Sequence, residues 1–453
     1  MMDEVLQLPG NWVLDDSGRP YPGVLFIDKT RLSVCLKIWF YGENQKSVEP
    51  FDIEFVLPIV SGLLMNGKRV TLSACVGMLM AINGNVKEPK FMSEYQVNAK
   101  FAFMNADVGS ECNLRFRGAI VDYGDIGEWA QESAVDYKFG LEGRYEWQLK
   151  RKLGAQFWFR DGACAFISAG VHGGRKNDMR EEVVIRQPTR VQFYYQTEES
   201  WDRIMDDVEI VRELIAFGMD RHVELKSVQT VHDSMLPQQI RGSQSFHASY
   251  CEEVYIGTKR KDSPFKKTSD NIRFSLPDII PLLGYDAKDG WKRLSLSRPV
   301  IKLFLEAHLY TDELHTEKVF LNLARGLEAA HRSLEILSGR SDKGFSFWDR
   351  LKALLEPLCD ITGSGFTTAN RKNDIQTIVN TRNYYTHYDQ ALYSVALRDE
   401  QLAELNRRLT SVLSYYVLKL LGLSESVSLE RTGMGQVPQS KVVSEEFSLA
   451  IGG

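Results

Sequence analysis

The sequence has no surplus of either charge: 55 basic residues stand against 60 acidic ones, a formal net charge of −5 over 453 residues. That balance excludes a polycationic nucleic-acid coat, a basic membrane-surface protein and a highly charged disordered chain. It does not exclude RNA as a substrate, because holding a few nucleotides takes a local site rather than a broad basic face. Cysteine is sparse and scattered, at positions 35, 75, 112, 164, 251 and 359, with no two spaced as CxxC. Such usage argues against a disulfide framework or a structural zinc site and fits reduced thiols in a cytoplasm. Long apolar runs are also missing. Residues 55–65 are broken by Pro58, Ser61 and Gly62, and residues 70–82 by Thr71, Ser73 and Gly77. Both fall short of the about 20 residues that a membrane span takes. The opening MMDEVLQLPG lacks the basic start and apolar stretch of a secretory signal, so the expected location is cytoplasmic, with no membrane partner. No HExxH occurs, and Gly173-Gly174 lacks the strand–GxGxxG–helix setting of a dinucleotide site. No metal and no cofactor is expected.

What is present is two halves of different period. With 43 % hydrophobic residues and this length, the chain is large enough for two or three cores. Up to residue 295 the pattern is strand-like, with runs such as Val24–Asp28, Leu32–Trp39, Val70–Cys75, Val97–Phe103, Cys112–Val121 and Val191–Tyr195 between polar turns. Asn66-Gly67 and Asn83-Gly84 read as turn dipeptides. One helix interrupts, with Trp201, Ile204, Met205, Val208, Val211 and Ile215 at helical spacing behind the cap residue Ser200. A strand-like Val223–Thr230 follows. Residues 258–298, with prolines at 277 and 281 and another at 299, read as a loop-rich junction. Beyond it the period becomes 3.6. Phe320 to Leu334, Phe347 to Leu358 and Leu402 to Leu420 each carry an apolar face, and a fourth helix spans about 373–388, which together read as a helical bundle. The expected fold class is therefore α+β in two domains: a β-rich domain over 1–295, an all-α bundle over 296–423, and a flexible tail over 424–453.

In the fourth helix, polarity stands in an unexpected place. With 100° per residue and Ile375 at zero, Ile378 and Val379 fall at about 300° and 40°, and Arg382 falls at about 340°, mid-stripe. Asn383 and His387, four apart, share the stripe's edge at about 80° and 120°. An arginine there needs a partner anion or a second surface. Two readings fit. In one, Arg382 pairs with an acid on a neighbouring helix, such as Glu328, and His387 is an edge histidine. In the other, the three residues form a site: Arg382 offers a planar fork to phosphate oxygens, His387 moves a hydroxyl proton near neutral pH, and Asn383 orients the imidazole or a phosphate.

The tract TRNYYTHYD matches the RN-x3-H form of the R-x4–6-H signature of HEPN domains, helical bundles that include many ribonucleases. It lies late in an all-α region, after a helix bearing Glu328 within LARGLEAAHR. Together with LPGNWVLDDSGRPYPGVLFID and NGKRVTLSACV near the start, the chain resembles ApeA-type proteins, which pair a β-rich amino-terminal domain with a carboxy-terminal HEPN domain. The resemblance implies a metal-independent endoribonuclease of bacterial anti-phage abortive infection. In it Arg382 and His387 would be the signature pair and Asn383 the polar residue after the arginine. It also implies an RNA substrate, a dimeric or higher assembly built through the HEPN domain, and a phage-derived trigger. Some HEPN toxins carry a modified tyrosine two places after the histidine. Here that place is Asp389, which puts regulation of that kind in doubt.

Three further features were weighed. Lys259-Arg260-Lys261 with Lys266-Lys267 and Phe265 reads either as a solvated loop or as a guide for RNA. Trp39-Phe40-Tyr41 and Phe157-Trp158-Phe159 read as core packing or as a pocket lining. The non-enzymatic alternative is a recognition protein, whose β-rich half binds a ligand or phage component while the helical half is only a dimerising scaffold.

Overall fold

The computed structural model describes residues 5–14, 18–29, 32–42, 51–85, 90–105, 114–131, 135–139, 145–149, 155–159, 163–169, 172–175, 183–186, 188–231, 251–256, 272–284, 289–309 and 315–435. The strand-like half folds as two β units that share one strand. The first comprises β1 (Val5–Val13), β2 (Pro20–Asp28), β3 (Ser33–Gly42), β4 (Glu54–Leu64), β5 (Arg69–Asn85) and β6 (Lys90–Met104). Alternation sets their faces: in β3, Val34, Leu36, Ile38 and Phe40 are buried, and the residues between them are only partly covered. The strands pair antiparallel in the order β6-β3-β2-β1-β4-β5, and β5 pairs back onto β6. That closure makes a six-stranded barrel without free edges around Trp12, Leu25, Leu36, Leu72, Tyr95 and Val97. Asn66-Gly67 makes the β4–β5 turn, with Gly67 at φ 81°. Asn83-Gly84 does not turn the chain: it lies inside β5, opposite Met92 and Phe91.

Residues 101–103 of β6 stay paired with β5 but, past the end of β3, take residues 254–256 on their other side, which begins a second sheet. After β7 (Arg115–Asp122) and the short α1 (Gly127–Ala130) come β8 (Val135–Phe139), β9 (Tyr145–Leu149), β10 (Ala155–Phe159), β11 (Ala163–Ala169), β12 (His172–Arg175), β13 (Val183–Arg186) and β14 (Thr189–Ser200). Helix α2 (Trp201–Met219), β15 (Ser227–Val231) and β16 (Cys251–Ile256) complete the unit. The sheet runs β10-β11-β14-β7-β15-β16-β6, while β8–β9 and β12–β13 pair separately. The strand expected from Val223 starts only at Ser227.

The helical half holds α3 (Leu276–Leu283), α4 (Gly290–His308), α5 (Thr316–Leu337), α6 (Phe347–Leu355), α7 (Arg371–His387), α8 (Asp399–Leu421) and α9 (Glu425–Arg431). Helices α4, α5 and α8 pack together, and α6 and α7 lie against α5. Gly326 permits the closest approach, since a Cβ there would stand 2.6 Å from a Leu413 methyl on α8. Two readings of the junction are corrected. The segment expected to be loop-rich contains α3 and most of α4's first half. Pro277 sits in the first turn behind a Ser275–Asp278 capping box, and Pro281 and Pro299 are carried inside helices, each at the loss of one backbone hydrogen bond. The boundary drawn at 295/296 therefore cuts α4. The first part of the tail drawn from 424 is helical and packed instead, because Ser424 caps α9 and Met434 is buried in the core. Residues 436–453 lie outside the described residues.

The second sheet and the bundle share one apolar core, which runs from Phe101 and Phe193 through α2 to Phe304, Leu327 and Leu413. Polar contacts fix α2 to the helical half. Arg298 of α4 reaches Asp206 at 2.7 Å and Glu213 at 3.1 Å. At the end of α2, Asp220 meets Arg273 at 2.6 Å and His308 Nε2 at 2.9 Å, while Arg273 also donates to Ser414 Oγ of α8. Burial alone would raise the Asp220 pKa, but the His308 hydrogen bond and the Arg273 guanidinium outweigh it and hold the carboxyl at about 2. Its folded pKa is depressed, so the stabilisation is present above the ordinary value of 3.8 and is lost as pH falls towards 2. We expect Asp220→Asn to cost about 2 kcal/mol at neutral pH. In calorimetric melts, its deficit against the wild type should shrink as pH drops through that window.

Candidate functional site

Helix α7 carries few strong apolar residues, and it is held by what its polar ones do. Its buried face is Ile375, Ile378, Thr381 and Tyr385. Thr381 Oγ1 accepts from the Leu397 amide at 3.1 Å, and Tyr385 donates its hydroxyl to the Leu397 carbonyl at 3.2 Å. One backbone unit thus satisfies both polar groups that the helix turns inwards. The helix ends at Tyr388, whose φ is 51° and whose amide donates to the Tyr384 carbonyl at 2.6 Å.

This face shifts the site. With Thr381 and Tyr385 inside, the buried stripe centres at about 295° on the same wheel, so Arg382 stands about 45° from its middle, towards its rim. The sequence reading weighted only Ile and Val, and so placed the stripe too far round. Arg382 is half-buried, with its guanidinium carbon 5.6 Å from the centre of the Phe347 ring of α6. Its Nη1 donates to Asn383 Oδ1 at 3.2 Å. The suggested partner Glu328 instead pairs with Arg332 at 2.6 Å, one turn along α5. Arg382 has no ion pair among the described residues. Asn383 is engaged by Arg382 and not by the imidazole. His387, the last residue of α7, is exposed and makes no hydrogen bond among the described residues. Going round the uncovered side of α7, the order is Arg382, Asn383, His387, Tyr384. This surface offers a cation braced on a ring, an amide and a free imidazole.

The sequence reading missed the neighbours. Phe347 under Arg382 lies 35 residues away in the chain, and local spacing gives no sign of it. Tyr384 stands edge-on to both Tyr388 and Tyr393, with ring centres 6.3 and 5.9 Å apart, and the Arg398 guanidinium lies 3.9 Å from the Tyr393 ring centre. The density of tyrosine in NYYTHY was the available signal. Elsewhere, Phe40 and Phe157 are buried in the two cores, whereas Tyr41 is exposed. The side chains of Trp158 and Phe159, and the run Lys259–Lys267 with Phe265, lie outside the described residues. Among the described residues, no group of three or more His, Cys, Asp or Glu side chains converges as a metal site would require. None of the described helices is long and apolar enough to cross a membrane.

Residues 8–282 match the family model for ApeA N-terminal domain 1, and residues 302–427 match that for the Apea-like HEPN domain. The chain belongs to the ApeA family. No curated protein and no solved structure matches it. In this ApeA-family chain the HEPN match begins within α4, ends within α9, and includes Arg382, Asn383 and His387. The amino-terminal match takes in the barrel, the second sheet and α2. The described geometry separates scaffold from surface on α7. Thr381→Val should cost about 1 kcal/mol or more by stranding the Leu397 amide. His387→Ala should stay within about 0.5 kcal/mol of the wild type. Urea denaturation of the two variants checks both.

Proposed function

We propose that this protein is a metal-independent endoribonuclease of anti-phage abortive infection, with Arg382 and His387 as its catalytic pair. The observation that carries this reading is an arginine half-sunk against Phe347 with no carboxylate partner among the described residues, on the same helix as an exposed histidine that makes no hydrogen bond among them. A buried-edge guanidinium without an anion is poised for a phosphate, which it can grip with two parallel donors. Family membership supports the reaction class. The ribose 2′-hydroxyl attacks the adjacent phosphorus, and the P–O5′ bond breaks. The products are a 2′,3′-cyclic phosphate and a 5′-hydroxyl. His387 takes the hydroxyl proton or delivers one to the leaving oxygen, and Arg382 stabilises charge on the phosphorane oxygens. Asn383 keeps the Arg382 fork in place.

Arg382 and His387 lie about 140° apart around α7, which turns them away from a single common point. A second α7 facing the first would complete the site, so the working form in this proposal is a homodimer through the HEPN domain. The β-rich half would act as the sensor of a phage-derived trigger, and its contact with the bundle runs through α2. Expression of the wild type should yield RNA fragments with cyclic-phosphate 3′ ends, insensitive to EDTA. His387→Ala should abolish cleavage, and Arg382→Lys should lower it by at least about 100-fold, since a point charge replaces a bidentate fork. Undiminished cleavage by His387→Ala, read by sequencing RNA termini, would sink this catalytic assignment, and no cleavage by the wild type would favour the scaffold reading.

A further inference from the structure

Beyond the proposed catalytic pair, an aromatic surface that stands open to solvent lies directly after His387. Tyr388 is 69 % exposed and Tyr393 46 % exposed. Neither phenol makes a hydrogen bond among the described residues. Both rings meet Tyr384 at interplanar angles of 68° and 66°, so no ring stacks on another. Tyr388 holds the left-handed conformation, which costs a residue with a Cβ about 1 kcal/mol or more. That turn takes the chain off the helix axis. It sets Tyr388 beside the short 3-10 turn at residues 390–392, which Asp389 caps through the Ala391 amide, with Tyr393 just beyond it. The Arg398 guanidinium lies over Tyr393 and brings a cation to the edge of the patch.

We propose that Tyr388 and Tyr393 form a stacking subsite, next to His387, for unpaired nucleobases of the bound RNA. This rests on the endoribonuclease reading and adds its selectivity: the enzyme takes RNA whose bases are splayed out, in single strands or loops. Aromatic faces hold any base without hydrogen-bond readout, and Arg398, over one face of Tyr393, adds attraction for the sugar–phosphate chain. Bases in a duplex are stacked on their neighbours and cannot reach such rings. The near-neutral bundle makes this the economical source of affinity. Residues 297–423 hold 16 Lys and Arg against 15 Asp and Glu, so the bulk charge of the bundle adds little to it.

The test uses the full-length protein and a single-stranded 2′-O-methyl oligoribonucleotide carrying 2-aminopurine, which lacks the attacking hydroxyl and so reports binding without cleavage. The wild type and His387→Ala should both quench the probe, as stacking does. Tyr388→Ala and Tyr393→Ala should each weaken binding by about 5- to 100-fold. Tyr388→Trp should retain it, and the same sequence as a duplex should compete poorly. On unmodified RNA, the alanine variants should raise KM more than they lower kcat. Unchanged binding and KM in both alanine variants would overturn the subsite. So would duplex bound as tightly as single strand, or a wild type that leaves the probe unquenched. A fall to monomer mass on Tyr388→Ala would also overturn it, by assigning the patch to contact between copies. Quenching by a wild type that never cleaves RNA would instead remove the nuclease reading and leave the stacking surface.

Discussion

Helix α2 is buried over most of its surface, and the architecture follows from that. From Trp201 to Met219, twelve of nineteen side chains are buried, including Asp207 and Gly218. A helix so apolar needs a wall on each side. The second β-sheet supplies one and α4 supplies the other, so the amino-terminal unit and the HEPN bundle close a single core between them. The charges left over are placed where that junction needs them. Asp206 and Glu213 take Arg298, and Asp220 takes Arg273 and His308. Breaking one partner of such a pair leaves a charge that water reaches poorly, which makes the junction costly to open piecemeal.

On the proposed reading, that weld bears on how a sensor and an effector can share a chain. The barrel has its own core and connects to the rest through β6, whose end pairs with β16 in the second sheet. A disturbance of the barrel can pass along β6 into the sheet that α2 covers, and from α2 into α4. No long lever is needed, because the sheet, α2 and α4 are in direct contact. Tight packing of this kind transmits displacement instead of absorbing it. Asp220 is the position to watch in such a route, since it touches both an amino-terminal residue, Arg273, and the bundle's His308.

The sequence showed what depends on local periodicity and hid what depends on distant partners. The apolar faces of α2, α5 and α8 repeat over many turns, and each was legible. Prolines 277, 281 and 299 pointed to loops because their local cost is plain, whereas the burial of Ile279, Leu283, Val300 and Phe304 that offsets it comes from remote contacts. Barrel closure by β5 on β6 likewise leaves no local mark beyond two long strands. On α7 the R-x4-H motif was legible as letters and misplaced as geometry. Thr381 and Tyr385 counted as polar until Leu397 was seen to satisfy them both. The partner assigned to Arg382, Glu328, was reasonable by charge but is claimed by Arg332 at closer range.

The error on α7 is itself informative about the site. Had Arg382 lain mid-stripe, it would have been a buried cation whose partner had to come from its own bundle. At the rim, with Phe347 beneath it and Asn383 beside it, the guanidinium keeps its packing without surrendering its charge to a carboxylate. The ring below is a weak partner, worth about 1 kcal/mol where water still reaches, and an incoming phosphate can outbid it. A carboxylate in the same place would have had to be displaced first. On the nuclease reading, the helix therefore turns a threonine and a tyrosine inwards and leaves the surface to Arg382, Asn383, His387 and Tyr384. On that reading, the ordering of faces, and not the overall charge of the domain, is what would fit α7 to an RNA backbone.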